Sequence, residues 1–290
     1  MISVVICSIN ADFARQVKRN IDETIGVPVE VILIDNAILK KSISEVYNMG
    51  AAQAKYDIIC FVHEDVLFRT NHWGQIIVSL FQQHPTLGLV GLAGAKYKSR
   101  TFSGWSTNNK ALDCVNILHL DPHGNEQLFS VNPQPGSKQQ EVVVIDGVFM
   151  CTTRKVWQQF PHNEALITGF HLYDIDFSFA ISEQYKVLVT YEIDLTHLTT
   201  GGSFGDNWLE HTINWHRHHK NKLPRSILPA AQLPGRIEAT IRKSWMHRLR
   251  TEKISWANKF KWIFGSGIIT DPYYWPYAGL FFFYRIFNKK

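Results

Sequence analysis

Along the first hundred residues, short apolar runs alternate with segments whose apolar residues recur every three or four positions. ISVVIC (2–7), VEVILID (29–35) and DIICFV (57–62) are rich in β-branched residues and predict strands. Between them, DFARQVKRNIDE carries Phe13, Val17 and Ile21 at helical spacing, and SISEVYNMGAAQA (42–54) opens on Ser42, a good N-cap. NHWGQIIVSLFQQ (71–83) predicts a third helix, and LGLVGLAG (87–94) a fourth short strand. This alternation predicts βαβ units, hence an α/β fold with a mostly parallel central sheet flanked by helices. Ligands of such sheets sit beyond the carboxyl ends of the strands. Here those ends are Cys7–Asn10, Asp35–Asn36 and His63–Asp65. All three are polar, and parallel strands would bring them to one crevice.

From about Lys96 to Gln140 the pattern dissolves into Ser, Asn, Gly and Pro, which predicts a long excursion over the site rather than core. Order returns with EVVVIDGVFM (141–150), a fifth strand broken at Asp146-Gly147, then a helix at RKVWQQF and a strand at KVLVTYEI. Toward the end, IRKSWMHRLRTEKISWANKFKWIF has apolar residues at 241, 245, 249, 256, 260 and 263, again at helical spacing, and DPYYWPYAGLFFFYRIFNKK adds a dense aromatic cluster.

Composition sharpens this picture. Of 290 residues 45% are hydrophobic and 19% charged, enough for a substantial core and against bulk disorder. The net charge of +5 is unevenly spread. Residues 241–290 hold ten Lys or Arg against Glu252 and Asp271, or +8, which leaves −3 on the rest. A nucleic-acid partner for the body is therefore not expected, and the basic end calls for a partner of its own. Its mixture of basic and Trp/Tyr/Phe residues, short of the roughly 18 uninterrupted apolar residues of a spanning helix, suits an anionic membrane surface through 241–290. The alternative is that these aromatics pack on the body. Cys7, Cys60, Cys114 and Cys151 show no zinc spacing, and Cys7 and Cys60 in apolar runs read as buried free thiols of a reducing compartment. MISVVICSIN lacks a basic n-region and reads as a first strand rather than a signal peptide.

The stretch FVHEDVLF (61–68) sets His63, Glu64 and Asp65 directly behind an apolar run. Adjacent carboxylates there repel each other unless something favours negative charge. No GxGxxG follows the first strand and no GxxxxGK[ST] occurs, so a phosphate bound here would be held by a metal on acidic residues rather than by a glycine cradle.

ISVVICSIN, VILIDN, EVYNMGAAQA, FVHEDVLF, IDGVFM and FHLYDIDFSF, in this order, resemble a bacterial family 2-type glycosyltransferase of GT-A fold, from a subgroup with HxDV in place of DDD. The resemblance covers residues 1 to 210. It implies a catalytic domain over 1–225, followed by a basic, aromatic helical extension over 226–290. It implies Mn²⁺ or Mg²⁺ held by Asp65 with His197 as a further ligand, and nucleotide-sugar contacts from Cys7, Ser8, Ile9, Asp35, Asn48, Gly50, His63, Glu64, Asp146 and Gly147. It places Asp174 as the general base of an inverting transfer, with Tyr173 where the family has an acidic residue. It makes 201–205 a loop that closes over the diphosphate. In HTINWHRHHK, His216, Arg217 and Lys220 are further candidates for phosphate contacts. Asp35 could instead form an Asx turn, Asn48 and Gly50 could serve helix packing, and Asp174 and Asp176 could be helix caps. The implied donor is a nucleotide-diphosphate sugar, UDP-linked in the first instance, and the acceptor a glycan or lipid-linked glycan at the cytoplasmic face of the membrane. Two other readings stand beside this one: a sugar nucleotidyltransferase, and a non-catalytic nucleotide- or glycan-binding module.

Overall fold

A computed structural model describes residues 1–120, 123–199 and 204–268. The chain starts with β1 (Ile2–Ser8), α1 (Ala11–Thr24), β2 (Val29–Asp35), a single turn α2 (Asn36–Leu39) and α3 (Ile43–Gln53). Next come β3 (Ile58–Val62), β4 (Val66–Phe68), α4 (Trp73–Gln83), β5 (Leu87–Gly91), β6 (Ala93–Ala95) and β7 (Tyr97–Lys98). β8 (Asp113–Leu120), β9 (Glu126–Val131), β10 (Gln139–Val142), β11 (Val144–Ile145) and β12 (Phe149–Thr153) form the middle of the chain. α5 (Arg154–Gln159), α6 (Tyr173–Ile181), β13 (Lys186–Thr190), β14 (Leu195–His197), α7 (Asp206–His218), β15 (Arg225–Ser226), α8 (Ile237–Thr251) and α9 (Trp256–Gly265) complete it.

The central sheet has the order β10-β13-β5-β12-β3-β1-β2. β1 is parallel to β2 and β3, and β13 to β5, whereas β12 lies antiparallel between β3 and β5. Five of the seven strands therefore point the same way, as the βαβ pattern predicts. Period-two alternation in the strands sorts the two faces. Val4, Ile6, Cys60 and Val62 pack on Val17 and Ile21 of α1 and Trp73 and Ile77 of α4. Val5, Ile59 and Phe61 pack on Tyr47 of α3, Phe177 of α6 and the C-terminal helices. Asn10 caps α1 by accepting from the Asp12 and Phe13 amides, and Ser42 with Glu45 forms a reciprocal capping box on α3.

The stretch 96–140 is more than an excursion. β8 pairs with β6, β9 and β14 in a second sheet of order β11-β6-β8-β14-β4, and Cys114, Val115 and Ile117 are buried. Apart from the β8–β9 hairpin, its strands pair with partners far away in sequence, which a local pattern does not show. Likewise EVVVIDGVFM is three short strands, with Asp146-Gly147 at the turn between β11 and β12.

Cys60 is not a free thiol. Antiparallel pairing sets Cys151 of β12 opposite Cys60 of β3, and the two form a disulfide, while Cys7 and Cys114 stay free. The cysteines therefore no longer argue for a reducing compartment.

The described part of the extension packs on the body. Ile241, Trp245 and Leu249 of α8 and Trp262 and Ile263 of α9 join the same core as Phe61 and Phe177. Glu238 accepts from Tyr97 Oη (2.7 Å), Ser99 Oγ (2.6 Å) and the Arg100 amide (3.0 Å), and Asp206 ties α7 to Ser255 and Asn258. Trp262 Nε1 donates to the Phe102 carbonyl at 2.8 Å. No described helix is long and apolar enough to cross a membrane. The aromatic cluster of 271–290 and residues 201–203 of the loop expected to close lie outside the described residues.

Candidate active site

The carboxyl ends of β1, β2 and β3 are in register, Ser8 opposite Asp35 and Ile6 opposite Val62, and a cavity of about 630 Å³ opens beyond them. Cys7, Ile9, Asn36, His63, Glu64 and Asp65 line it, as the strand-end argument predicts. Sequence reasoning missed Phe13, Lys40, Lys41, Thr168, Phe170 and Thr199 in the same wall. Phe13 was legible only as a core position of α1. Lys40 and Lys41 follow the second strand end directly, and that adjacency was the available signal.

Glu64 explains why one carboxylate stands at this strand end. Its Oε2 accepts from Ser8 Oγ (2.6 Å) and from the Ile9 (3.1 Å) and Asn10 (3.0 Å) amides. The charge is thus met by the loop after β1, which it fixes in place. Cys7, beside it, is a neutral thiol pushed up to about 11, first by burial and then by the Glu64 charge, partly offset by a hydrogen bond with Asn36.

Asp65 answers for the other charge. β14 pairs antiparallel with β4, His197 opposite Val66, and this carries His197 to Asp65. His197 Nε2 lies 3.2 Å from Asp65 Oδ2, Thr199 Oγ1 donates to the same oxygen at 2.7 Å, and His63 Nδ1 is 3.8 Å from Oδ1. Burial raises the Asp65 pKa, but hydrogen bonds from His197 and Thr199 and the nearby imidazoles outweigh it and hold the carboxyl below its usual range. Burial lowers His197, and its hydrogen bond and attraction to Asp65 more than restore it. Ligand atoms of His63, Asp65 and His197 lie within 4.8 Å of one another. One ionised carboxylate and two imidazoles, largely buried, form a donor set suited to a divalent transition metal.

A second lobe of about 270 Å³ shares His63, Phe170 and His197 with the first and is further lined by Trp105, Asp146, Gly147, Asp174, Trp208, Trp245 and Arg248. Asp174 lies in the first turn of α6. Its Oδ2 accepts from the Gly147 amide (3.0 Å) and its Oδ1 from the Ile175 amide (2.8 Å). Burial, then repulsion from Asp146, push it up to about 7 against those backbone hydrogen bonds. A carboxylate at that value can take a proton near neutral pH. Asp146 accepts from Trp105 Nε1 (2.7 Å) and the Val148 amide (3.0 Å). Gly147 makes room for a protein side chain, since a Cβ there would stand 2.0 Å from Tyr173 Oη.

Other predicted residues have different roles. Asp35 does not line the cavity; it caps α2 through the Ala37 (3.0 Å) and Ile38 (3.4 Å) amides, which is the Asx alternative. Asn48 is fully engaged with His162, Glu164 and Trp157, and Gly50 lets α3 lie against β1, where a Cβ would meet Val5 Cγ1 at 2.2 Å. Asp176 caps no helix. It is buried and accepts from Trp215 Nε1 (2.8 Å) and pairs with His219 Nε2 (2.9 Å), locking α7 to α6. His216, Arg217 and Lys220 line a separate cavity with Arg100 and Arg242, away from Asp65.

Residues 3–222 match the family described as "Glycosyltransferase like family". No curated protein matches the sequence. Among solved structures, GalNAc-T7 with UDP, GalNAc and Mn²⁺ superposes with a TM-score of 0.53 at 11% identity, over 76% of this chain and 47% of that one. This chain thus spans about half of that protein's length. TarS 1–349 of S. aureus gives 0.53 at 10% identity, over 94% and 81% of the two chains. Its complex with UDP-GlcNAc gives 0.51 at 10% identity, over 92% and 79%. At these identities the likeness is one of fold.

Proposed function

We propose, since the chain belongs to the glycosyltransferase-like family, of the family 2 type and with the GT-A fold, that it is a glycosyl-transferring enzyme, moving a sugar from a nucleotide-diphosphate donor to a glycan hydroxyl with inversion. The observation that carries this reading is the pairing of two lobes across His63 and His197: a metal-suited cluster faces the larger lobe, and Asp174 faces the smaller. The donor would occupy the larger lobe, its nucleoside beside Cys7 and Ile9. Of the two ions expected, His63, Asp65 and His197 would hold Mn²⁺ better than the oxygen-seeking Mg²⁺, and the ion would supply charge stabilisation to the departing diphosphate. Mn²⁺ is named with UDP in the GalNAc-T7 structure, and UDP-GlcNAc in a TarS structure, which supports this class of donor. Asp174 would take the proton from the acceptor hydroxyl as that oxygen attacks the anomeric carbon. Asp146, hydrogen-bonded to Trp105, would orient the sugar. Glu64 serves the site indirectly, by fixing the loop that lines the nucleoside end.

We further propose that the acceptor is a glycan or lipid-linked glycan met at the inner face of the cell membrane. The basic excess of 241–290 supports this, as do Trp256, Phe260 and Phe264, partly exposed at successive turns of α9.

The test is a thermal-shift panel of UDP-, GDP-, dTDP- and CMP-sugars, each with Mn²⁺ and with EDTA. One nucleotide class is expected to raise Tm, by an amount that grows with the logarithm of its concentration above Kd, with metal only. No shift in any condition overturns the donor assignment.

A further inference from the structure

The smaller lobe holds features that proton abstraction alone does not need. Much of its lining is aromatic: Trp105, Phe204, and Trp208 stacked on Trp245 with centroids 4.8 Å apart at an interplanar angle of 6°. Trp245 is 4% exposed and presents its ring, not its indole Nε1, to this wall. One turn further along α8, the Arg248 guanidinium lies flat on the Phe204 ring, its carbon 3.4 Å from the centroid. Its Nε reaches Glu252 at 3.4 Å, and its two terminal nitrogens have no hydrogen-bond partner among the described residues. Arg248 is also the one Lys or Arg among the described residues lining this lobe.

Each feature has a complement in the same kind of ligand. Aromatic surfaces take the apolar face of a sugar ring. A guanidinium held flat by stacking presents its outer edge as a preorganised fork for a carboxylate or phosphate. A neutral ligand would leave that fork unused.

Resting on the transfer reading above, we propose that this lobe is an acceptor subsite for an acidic saccharide, and that α8 of the C-terminal extension selects it through Trp245 and Arg248. The extension thus takes part in choosing the substrate.

Saturation-transfer NMR with methyl β-D-glucuronide, glucose 6-phosphate and methyl β-D-glucoside tests this on the full chain at low salt. At least one of the acidic sugars is expected to bind about tenfold more tightly than the neutral one, as a charge-assisted hydrogen bond provides. Which of the two is preferred tells carboxylate from phosphate. Arg248→Gln should remove the preference, and Trp245→Phe, which trims the aromatic wall from an indole to a phenyl ring, should weaken all three sugars. Arg248 is half-exposed, so its variant is the safer of the two for folding, and melting curves check both. Equal binding of acidic and neutral sugars, no binding of any, or an unchanged preference in Arg248→Gln overturns the proposal. A donor shift in the nucleotide-sugar panel without acidic preference here removes this inference alone. Acidic preference without a donor shift removes the transfer reading and leaves the lobe as a binding site for an acidic saccharide, no longer an acceptor subsite.

Discussion

His63 Nε2 and Tyr173 Oη meet across the crevice at 2.6 Å. This contact joins the metal-suited cluster to the residue that immediately precedes Asp174 in α6. Tyr173 is itself fixed, buried against Tyr47 and Phe170 and pressed onto Gly147. With Nδ1 turned toward Asp65, Nε2 is left to pair with the phenol, so the phenol sets the orientation of the imidazole. Burial lowers the His63 pKa, and the attraction of Asp65 and Asp146 does not overcome it, so the ring is kept in the neutral form that ligates metal.

Tyr173→Phe removes that contact and leaves a buried ring nitrogen without a partner. The expected result is a loss of about 1–3 kcal/mol in urea unfolding and metal affinity weakened about 10- to 100-fold. Titrating Mn²⁺ against the donor-induced Tm shift measures the second effect. Unchanged metal affinity would show that Tyr173 packs without orienting.

Asp174→Asn keeps one of the two accepted backbone hydrogen bonds and the side chain's shape, and removes the base. Transfer should fall by about 10²- to 10⁴-fold while the donor-induced Tm shift survives. In the native protein, kcat should rise as pH increases through about 7, as Asp174 loses its proton. The sign for stability is opposite. Between the ordinary value of 3.8 and about 7 the folded chain holds a proton that the unfolded chain has released. The Asp174 contribution to stability therefore falls as pH rises across that window. Urea titrations at pH 5 and pH 8 on both proteins should show this slope flattened in Asp174→Asn.

Gly147→Ala places a methyl group where the Tyr173 phenol stands, 2.0 Å from its oxygen. Neither neighbour has room to yield, because the Gly147 amide holds Asp174 and Tyr173 is buried. A destabilisation of about 1–3 kcal/mol is expected, together with a loss of transfer. Wild-type stability in this variant would mean that the phenol rotates away freely.

Thiol titration in denaturant without reductant should find two reactive cysteines, Cys7 and Cys114, and four after reduction. Four at the outset would return Cys60 and Cys151 to the free state.

The strand ends were legible because local apolar runs locate a strand and polar residues mark where it stops. Ser42 as a helix cap was legible for the same local reason. Asn48 and Asp176 were not, because their partners lie far along the chain: His162 and Glu164 for one, Trp215 and His219 for the other. An isolated carboxylate at the start of a helix looks like a cap until the helix it anchors is in place. The second sheet was hidden for a related reason. β8 is buried by β6, β9 and β14 rather than by a pattern of its own, and β9 is an exposed edge with no apolar face to reveal it. Trp105, which reaches Asp146, sits in a polar stretch that gave no periodic signal.

The family match stops at residue 222, yet the core continues through Trp245 on Trp208 and Trp262 under Phe102. The boundary of resemblance is therefore not a boundary of folding. A chain cut after 225 would not yield a minimal catalytic unit; it would expose the inner faces of α7 and of 97–102 to water and invite aggregation. Nor could the last helices be exchanged between relatives like a detachable tag. They would have to be transplanted with the surfaces they cover, and any library of chimaeras should place its junctions elsewhere.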